Sequence, residues 1–190
     1  DKSLINLIKK YSLKDKRIYI ITHFNHPKEI TKVAVDAVDK LIKAGAIFSN
    51  QTPLLHGVND KPKVLAELFI KLASIGVPPY YVFQCRPTVA NKNYAIPIEK
   101  GYDIFEKARS FTSGLAKRAR FIMSCAVGKI HIIGKTKDEI IFKFYNSADP
   151  DEYGKILIFK KNPSAYWIDD YKEIKGEHKL HPEFALYGPD

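Results

Sequence analysis

The feature that most constrains this chain is a beat. Along the first two-thirds of the sequence, short apolar β-rich runs alternate with amphipathic helical stretches. Arg17–Thr22, Ala46–Gln51, Pro79–Cys85 and Arg120–Ser124 read as buried strands. Apolar spacing predicts a helix over residues 3–12, and others over about Pro62 to Ile75 and Pro97 to Phe111. A further helix is expected to open at His26-Pro27-Lys28-Glu29 and end at Gly45, with Pro27 near its first position and Glu29 in its first turn. Gly57-Val58-Asn59-Asp60 reads as a turn that also caps the helix after it. Such alternation implies right-handed crossovers and a parallel sheet, in which functional residues gather where strands end. That directs attention to His23–His26, Asn50–Thr52, Gln84–Arg86 and Ser124–Lys129.

After Lys129 the pattern changes. Lys129–Gly134, Glu139–Tyr145 and Lys155–Lys161 are strands with polar turns and no helix between them, so an antiparallel meander packed on the preceding units is expected. Asp169 and Asp170, beside Trp167, suit a capped turn better than a cation site, because neighbours on a strand point to opposite faces. The tail beyond Lys172 is expected to lie as an extended arm. The resulting division is 1–125, 126–172 and 173–190.

Composition removes several classes. The 190 residues suit one ordinary domain, and no run of apolar residues is long enough to span a membrane. Two cysteines, Cys85 and Cys125, cannot supply a four-thiolate cluster or zinc site, and a reducing cytoplasmic compartment is the expectation. The net charge of +10 reads first as a solvated basic surface and next as a site for an anionic substrate or cofactor. Nucleic acid is disfavoured, because no aromatic–basic strand motif offers a stacking platform. An opening on Asp1, without an initiator Met, is expected of a processed product or a proteolytic fragment.

Four segments carry a resemblance: Thr22-His23-Phe24-Asn25-His26-Pro27-Lys28-Glu29-Ile30-Thr31, then Asn50-Gln51-Thr52-Pro53-Leu54-Leu55-His56-Gly57-Val58-Asn59-Asp60, then Tyr80-Tyr81-Val82-Phe83-Gln84-Cys85, then Thr112-Ser113-Gly114-Leu115-Ala116. In order and spacing the chain resembles the lysine 2,3-aminomutase family of radical S-adenosylmethionine (radical SAM) enzymes. The resemblance implies an α/β fold, the C-terminal half of a partial (β/α)6 TIM-like barrel, followed by the small meander. It also implies an amino-acid 2,3-aminomutase that uses S-adenosylmethionine, pyridoxal phosphate and a 4Fe-4S cluster. The family holds that cluster on a Cys-x3-Cys-x2-Cys loop in its first half. This chain has no such motif and is expected to be inactive alone.

Residue by residue, the resemblance matches His23 and Gln51 to contacts of S-adenosylmethionine. On the residues alone, His23, Asn25 and His26 equally suit backbone capping at the strand–helix turn. Lys129 falls where the family places the lysine that bonds to pyridoxal phosphate, although only Gly128 remains of a longer glycine run. Such an amine must be neutral to react, and Lys117, Arg118 and Arg120 are candidates for the positive field that would help. Lys135 is its rival.

Arg86 and Ser124 stand where lysine-specific members carry aspartates. An arginine fork prefers a carboxylate or phosphate, so lysine is not the expected substrate and an acidic amino acid such as glutamate is plausible; the plain alternative is that Arg86 faces solvent beside Pro87. A radical enzyme of this fold without pyridoxal phosphate, and a basic nucleic-acid-binding module, are the alternatives. Zinc is not expected. Exposed strand edges and uncovered barrel lining lead us to expect a homo-oligomer.

Overall fold

Eight strands lie side by side in sequence order in one sheet: β1 (Tyr19–Thr22), β2 (Ile47–Leu54), β3 (Pro79–Gln84), β4 (Arg120–Cys125), β5 (Gly128–Lys135), β6 (Glu139–Ser147), β7 (Ile156–Lys160) and β8 (Ile174–Lys175). This computed structural model describes residues 1–126 and 128–171 and the backbone of 174–175. Most of the expected C-terminal arm therefore lies outside the described residues. Neighbouring strands from β1 to β4 run parallel, and every pair from β4 onward is antiparallel. The meander is thus hydrogen-bonded to the edge of the parallel sheet and extends it, rather than packing over it as a layer.

Among the described residues the α-helices are α1 (Lys2–Tyr11), α2 (Lys32–Lys43), α3 (Pro62–Ser74) and α4 (Ile98–Ser110). Their apolar stripes meet one face of the sheet. Leu65, Leu68, Phe69 and Leu72 of α3, with Ile104, Phe105 and Ala108 of α4, join Phe48, Leu54, Val82, Phe121 and Met123 in the core. Phe105 stacks on Phe121 with ring centroids 5.6 Å apart and meets Phe69 edge-on at 6.4 Å. Each such buried ring contributes about 2–3 kcal/mol of transfer free energy. The meander buries Ile140, Phe142, Phe144, Leu157 and Phe159 on this same face, closed by Ala165, Trp167, Ile168 and Tyr171.

Because side chains alternate along a strand, the other face carries the intervening residues. Tyr19 and Ile47 are partners there, as are Ile21 and Ser49, and Gln51 joins Tyr81 and Arg120. Tyr19, Ile21 and Ile47 are exposed on it.

One helix start differs from expectation. Pro27–Glu29 is a separate 3-10 turn, the chain breaks at Ile30, and α2 begins after Thr31, whose Oγ1 accepts the Ala34 N–H. Asn59 and Asp60 do not cap α3: Lys61 precedes it without a side-chain cap, and Pro62 sits at its start. Among the described residues no helix is long and apolar enough to cross a membrane.

Candidate functional site

The loops after β1 and β2 are built on buried amides. Asn50 Oδ1 accepts from Thr22 Oγ1 and from the Phe24 N–H, both at 2.8 Å, while its Nδ2 donates to the Phe24 carbonyl at 3.0 Å. Asn59 is fully buried. It accepts the Leu55 N–H at 2.7 Å and donates to the carbonyls of Asn25 at 2.9 Å and Pro53 at 3.0 Å. Thr52 Oγ1 donates to Asn25 Oδ1 at 2.9 Å. These bonds satisfy backbone groups that strand ends leave open, and they fix the segment carrying His23 against the strand carrying Gln51.

His23 follows the last residue of β1 and is exposed, while Gln51 lies one residue past the Thr22–Asn50 pair on the neighbouring strand. Gln51 is half-buried on the helix-free face and shares it with Pro53 and Tyr81. His26 has the structural role: its Nδ1 accepts the Lys28 N–H at 3.1 Å and caps the 3-10 turn.

Arg86 and Ser124 come together directly. Arg86 Nη2 donates to the Ser124 carbonyl at 3.0 Å. Both line a cavity of about 530 Å3 with Phe83, Cys85, Tyr94 and Trp167. The guanidinium also lies over the Trp167 indole, 5.7 Å from its centroid. Trp167 arrives from beyond the meander because its segment is clamped. Asp170 Oδ2 accepts the N–H groups of Tyr166 and Trp167 at 2.7 and 3.1 Å, the capped turn expected of these acids. Gln84, buried at the end of β3, donates to the carbonyls of Ile96 at 2.6 Å and Tyr166 at 3.2 Å.

Lys129 is the partner of Ser124 across β4 and β5, half-buried on the same face. Lys135, its rival in the sequence, pairs through its Nζ with Asp103 of α4 at 2.5 Å, on the helix side of the sheet. The expected source of positive field is displaced too. Lys117 and Arg118 precede β4, and Arg120 begins it, four residues before Ser124 and so about 13 Å along the strand. There Arg120 lies over the Tyr145 ring at 5.0 Å, and Tyr145 meets His131 and Tyr81 edge-on. Burial, then Arg120, Lys143 and Arg109, hold the His131 imidazole down at about 4, so it is neutral at pH 7. Burial raises the Cys85 thiol and pushes Cys125 up to about 12.

The residues fit two of the implied groups and not the third. Lys129 lies opposite Ser124 on the helix-free face, where a lysine that bonds an aldehyde cofactor would be placed. His23 and Gln51 offer an imidazole and an amide on adjacent strands for an adenosyl or methionyl group. An iron–sulfur cluster has no thiolate set here: the two cysteines are separately buried, and no three metal-ligating side chains gather among the described residues. Spacing alone did not reveal Gln84 or Asn59 as scaffold, nor Trp167 as a lining residue. Of the three only Gln84 stands at a strand end, where a lone polar residue is a signal.

No family model matches the chain. Curated relatives do. A provisionally assigned L-lysine 2,3-aminomutase of Aquifex aeolicus (strain VF5) is 48% identical over 180 residues, 94% of this chain and 48% of that protein. A glutamate 2,3-aminomutase of Clostridioides difficile (strain 630) is 41% identical over 111 residues, 58% of this chain and 25% of that one. The chain spans about half the length, or less, of these relatives. Among solved structures, a radical SAM methyltransferase from Sphaerobacter thermophilus is similar at a TM-score of 0.42 and 15% identity, covering 63% of this chain and 38% of that one.

Proposed function

From the premise that this chain is a homologue of the lysine 2,3-aminomutases, we propose that it forms the substrate-facing half of a radical SAM, pyridoxal-phosphate-dependent amino-acid 2,3-aminomutase. The observation that carries the proposal is convergence. His23 follows the end of β1, Arg86 follows β3 and Ser124 lies at the end of β4, opposite Lys129, while Gln51 of β2 shares with Ser124 and Lys129 the side the helices leave open. Parallel sheets are ordinarily covered on both faces. We therefore read the open face as the lumen of a partial (β/α)6 barrel, with segment 1–125 as the barrel half and 126–172 as the extension that closes one end.

In this reading each residue has a modest task. His23 and Gln51 orient S-adenosylmethionine by hydrogen bonds. Arg86 receives the substrate's side-chain carboxylate, and the Ser124 peptide keeps the guanidinium in place. A lysine side chain would meet a like charge at Arg86, so an acidic amino acid is the favoured substrate. Lys129 holds the pyridoxal phosphate, which when bound supplies a carrier for the migrating amino group. No step is assigned to this chain's residues at an iron–sulfur cluster.

Borohydride reduction of the chain incubated with pyridoxal phosphate, followed by peptide mass mapping, tests the reading. A single dominant adduct on the Lys129 peptide, lost in Lys129→Ala, is expected. Adducts scattered over surface lysines without preference would sink the assignment and favour a radical enzyme that does not use this cofactor.

A further inference from the structure

The cavity holds an arginine that is fixed rather than merely present. A free arginine side chain carries rotamer entropy, part of which is lost when a ligand is gripped by the planar fork. Arg86 has already lost much of that freedom. One N–H goes to the Ser124 carbonyl at 3.0 Å, and the guanidinium carbon lies over the Trp167 ring, 5.7 Å from its centroid. No carboxylate is among the residues lining the cavity, while Asp169 and Arg86 both act on the neighbouring Cys125 thiol.

Trp167 is equally constrained. It is 2% exposed. Its segment is tied to the start of α4 by the Ile98 N–H donating to the Ala165 carbonyl at 2.8 Å, and by the Asn162 N–H donating to Glu99 Oε1 at 2.7 Å. Gln84 ties it to the end of β3 and Asp170 closes it internally. A rigid path therefore runs from the barrel strands, through residues 162–170, to the indole under Arg86. An indole face is the strongest aromatic platform for a cation.

We propose that Trp167 is a specificity-positioning residue: it supports the Arg86 guanidinium at the cavity wall for capture of a carboxylate on the substrate side chain. The inference deepens the proposed function and rests on its assignment of Arg86 as a substrate contact. Its new content is that the segment after the meander, and not the strand ends alone, sets the choice of substrate. The cavity, about 530 Å3, has room for a dicarboxylic amino acid, and Asn91 and Tyr94 add neutral polar groups to its wall.

Trp167 is the only tryptophan in the chain, so its fluorescence reports on the site without a label. Titration of the full chain with L-glutamate should change the emission saturably, and L-lysine should not change it. In calorimetric titrations Trp167→Leu should weaken L-glutamate binding about tenfold, while Trp167→Phe, which restores an aromatic face, should recover to within about threefold. A role confined to packing would leave Phe and Leu variants weakened in proportion to their lost thermal stability.

Should Trp167→Leu fail to fold, Arg86→Gln in the intact chain keeps the question open to measurement. Removing the cation from above the indole should shift the resting emission and abolish the glutamate response. If a folded Trp167→Leu binds as tightly as the parent while Arg86→Gln does not, the positioning role is wrong and the Arg86 assignment stands. If Arg86→Gln also binds like the parent, or the parent binds no glutamate, the assignment of Arg86 fails and the inference falls with it.

Discussion

Ser124 and Lys129 are Cα partners across the antiparallel β4–β5 pair, and the Ser124 carbonyl accepts the Arg86 guanidinium at 3.0 Å. One residue at the end of a parallel strand thus stands between the candidate cofactor lysine and the candidate substrate arginine. Directly opposed residues on neighbouring antiparallel strands project to the same face, so the register of this hairpin decides whether Lys129 faces the site at all. A slip of one residue would turn it to the helix side.

Gly128 guards that register. Its φ is +143°, and a Cβ placed there would lie 2.0 Å from the Asn146 carbonyl oxygen on β6. The obstacle is backbone, which cannot swing away. Gly128→Ala should therefore cost about 3 kcal/mol or more, read as a lower urea midpoint at an unchanged m-value. It should also reduce borohydride trapping at Lys129 under conditions where the variant remains folded. Undiminished stability would mean that β5 and β6 do not approach as described.

Asn59 makes three hydrogen bonds to main-chain groups from a fully buried position. Asn59→Ala leaves the Leu55 N–H and two carbonyls without it, at about 3 kcal/mol. For a chain of this size that lowers the thermal midpoint by on the order of 10 °C. A calorimetric scan checks it, and a change of only a degree or two would mean water replaces the amide.

Much of the strand–helix order was legible because an apolar run or stripe declares itself within a few residues. The limits of β3 and α4 were met within a residue of Pro79–Cys85 and Pro97–Phe111. Local chemistry was read less well where two signals competed. Pro27 and Glu29 look like a helix start, yet His26 caps a 3-10 turn there and Thr31 caps α2 instead. Asp170 was legible as a cap because its partners, Tyr166 and Trp167, are its near neighbours. What stayed hidden depends on long-range placement. Gln84 bonds the Tyr166 carbonyl 82 residues away, and the Arg86–Trp167 contact spans a similar distance. No spacing rule links residues so far apart before the sheet has brought them together.

The His131 imidazole gives the fold a pH response. Its folded value, held down at about 4, lies below the ordinary histidine value of 6.5, so the unfolded chain takes up a proton first as pH falls. Stability is full above about pH 6.5 and declines toward pH 4. In a sealed site the shift would be worth about 3 kcal/mol. The ring is only half-buried, and screening reduces this to about 1–2 kcal/mol. Between pH 7 and 4.5 the parent should lose that much more stability in urea than His131→Gln. Equal losses would show that the proton is accommodated beside Arg120, Lys143 and Arg109.

The helix-free face carries an apolar margin along β1, whose outer edge has no strand beside it among the described residues. Tyr19 is 68% exposed, Ile21 42% and Ile47 40%, and the register places all three on that face. A contiguous apolar patch next to unpaired strand groups favours association over exposure to water. Sedimentation of the isolated chain should show self-association that grows with concentration. Ile21→Lys, which puts a charge in the patch without touching the helix-side core, should shift the chain toward monomer while leaving its thermal midpoint nearly unchanged. A parent that sediments as monomer at high concentration would mean the margin is tolerated in water, as scattered apolar surface often is.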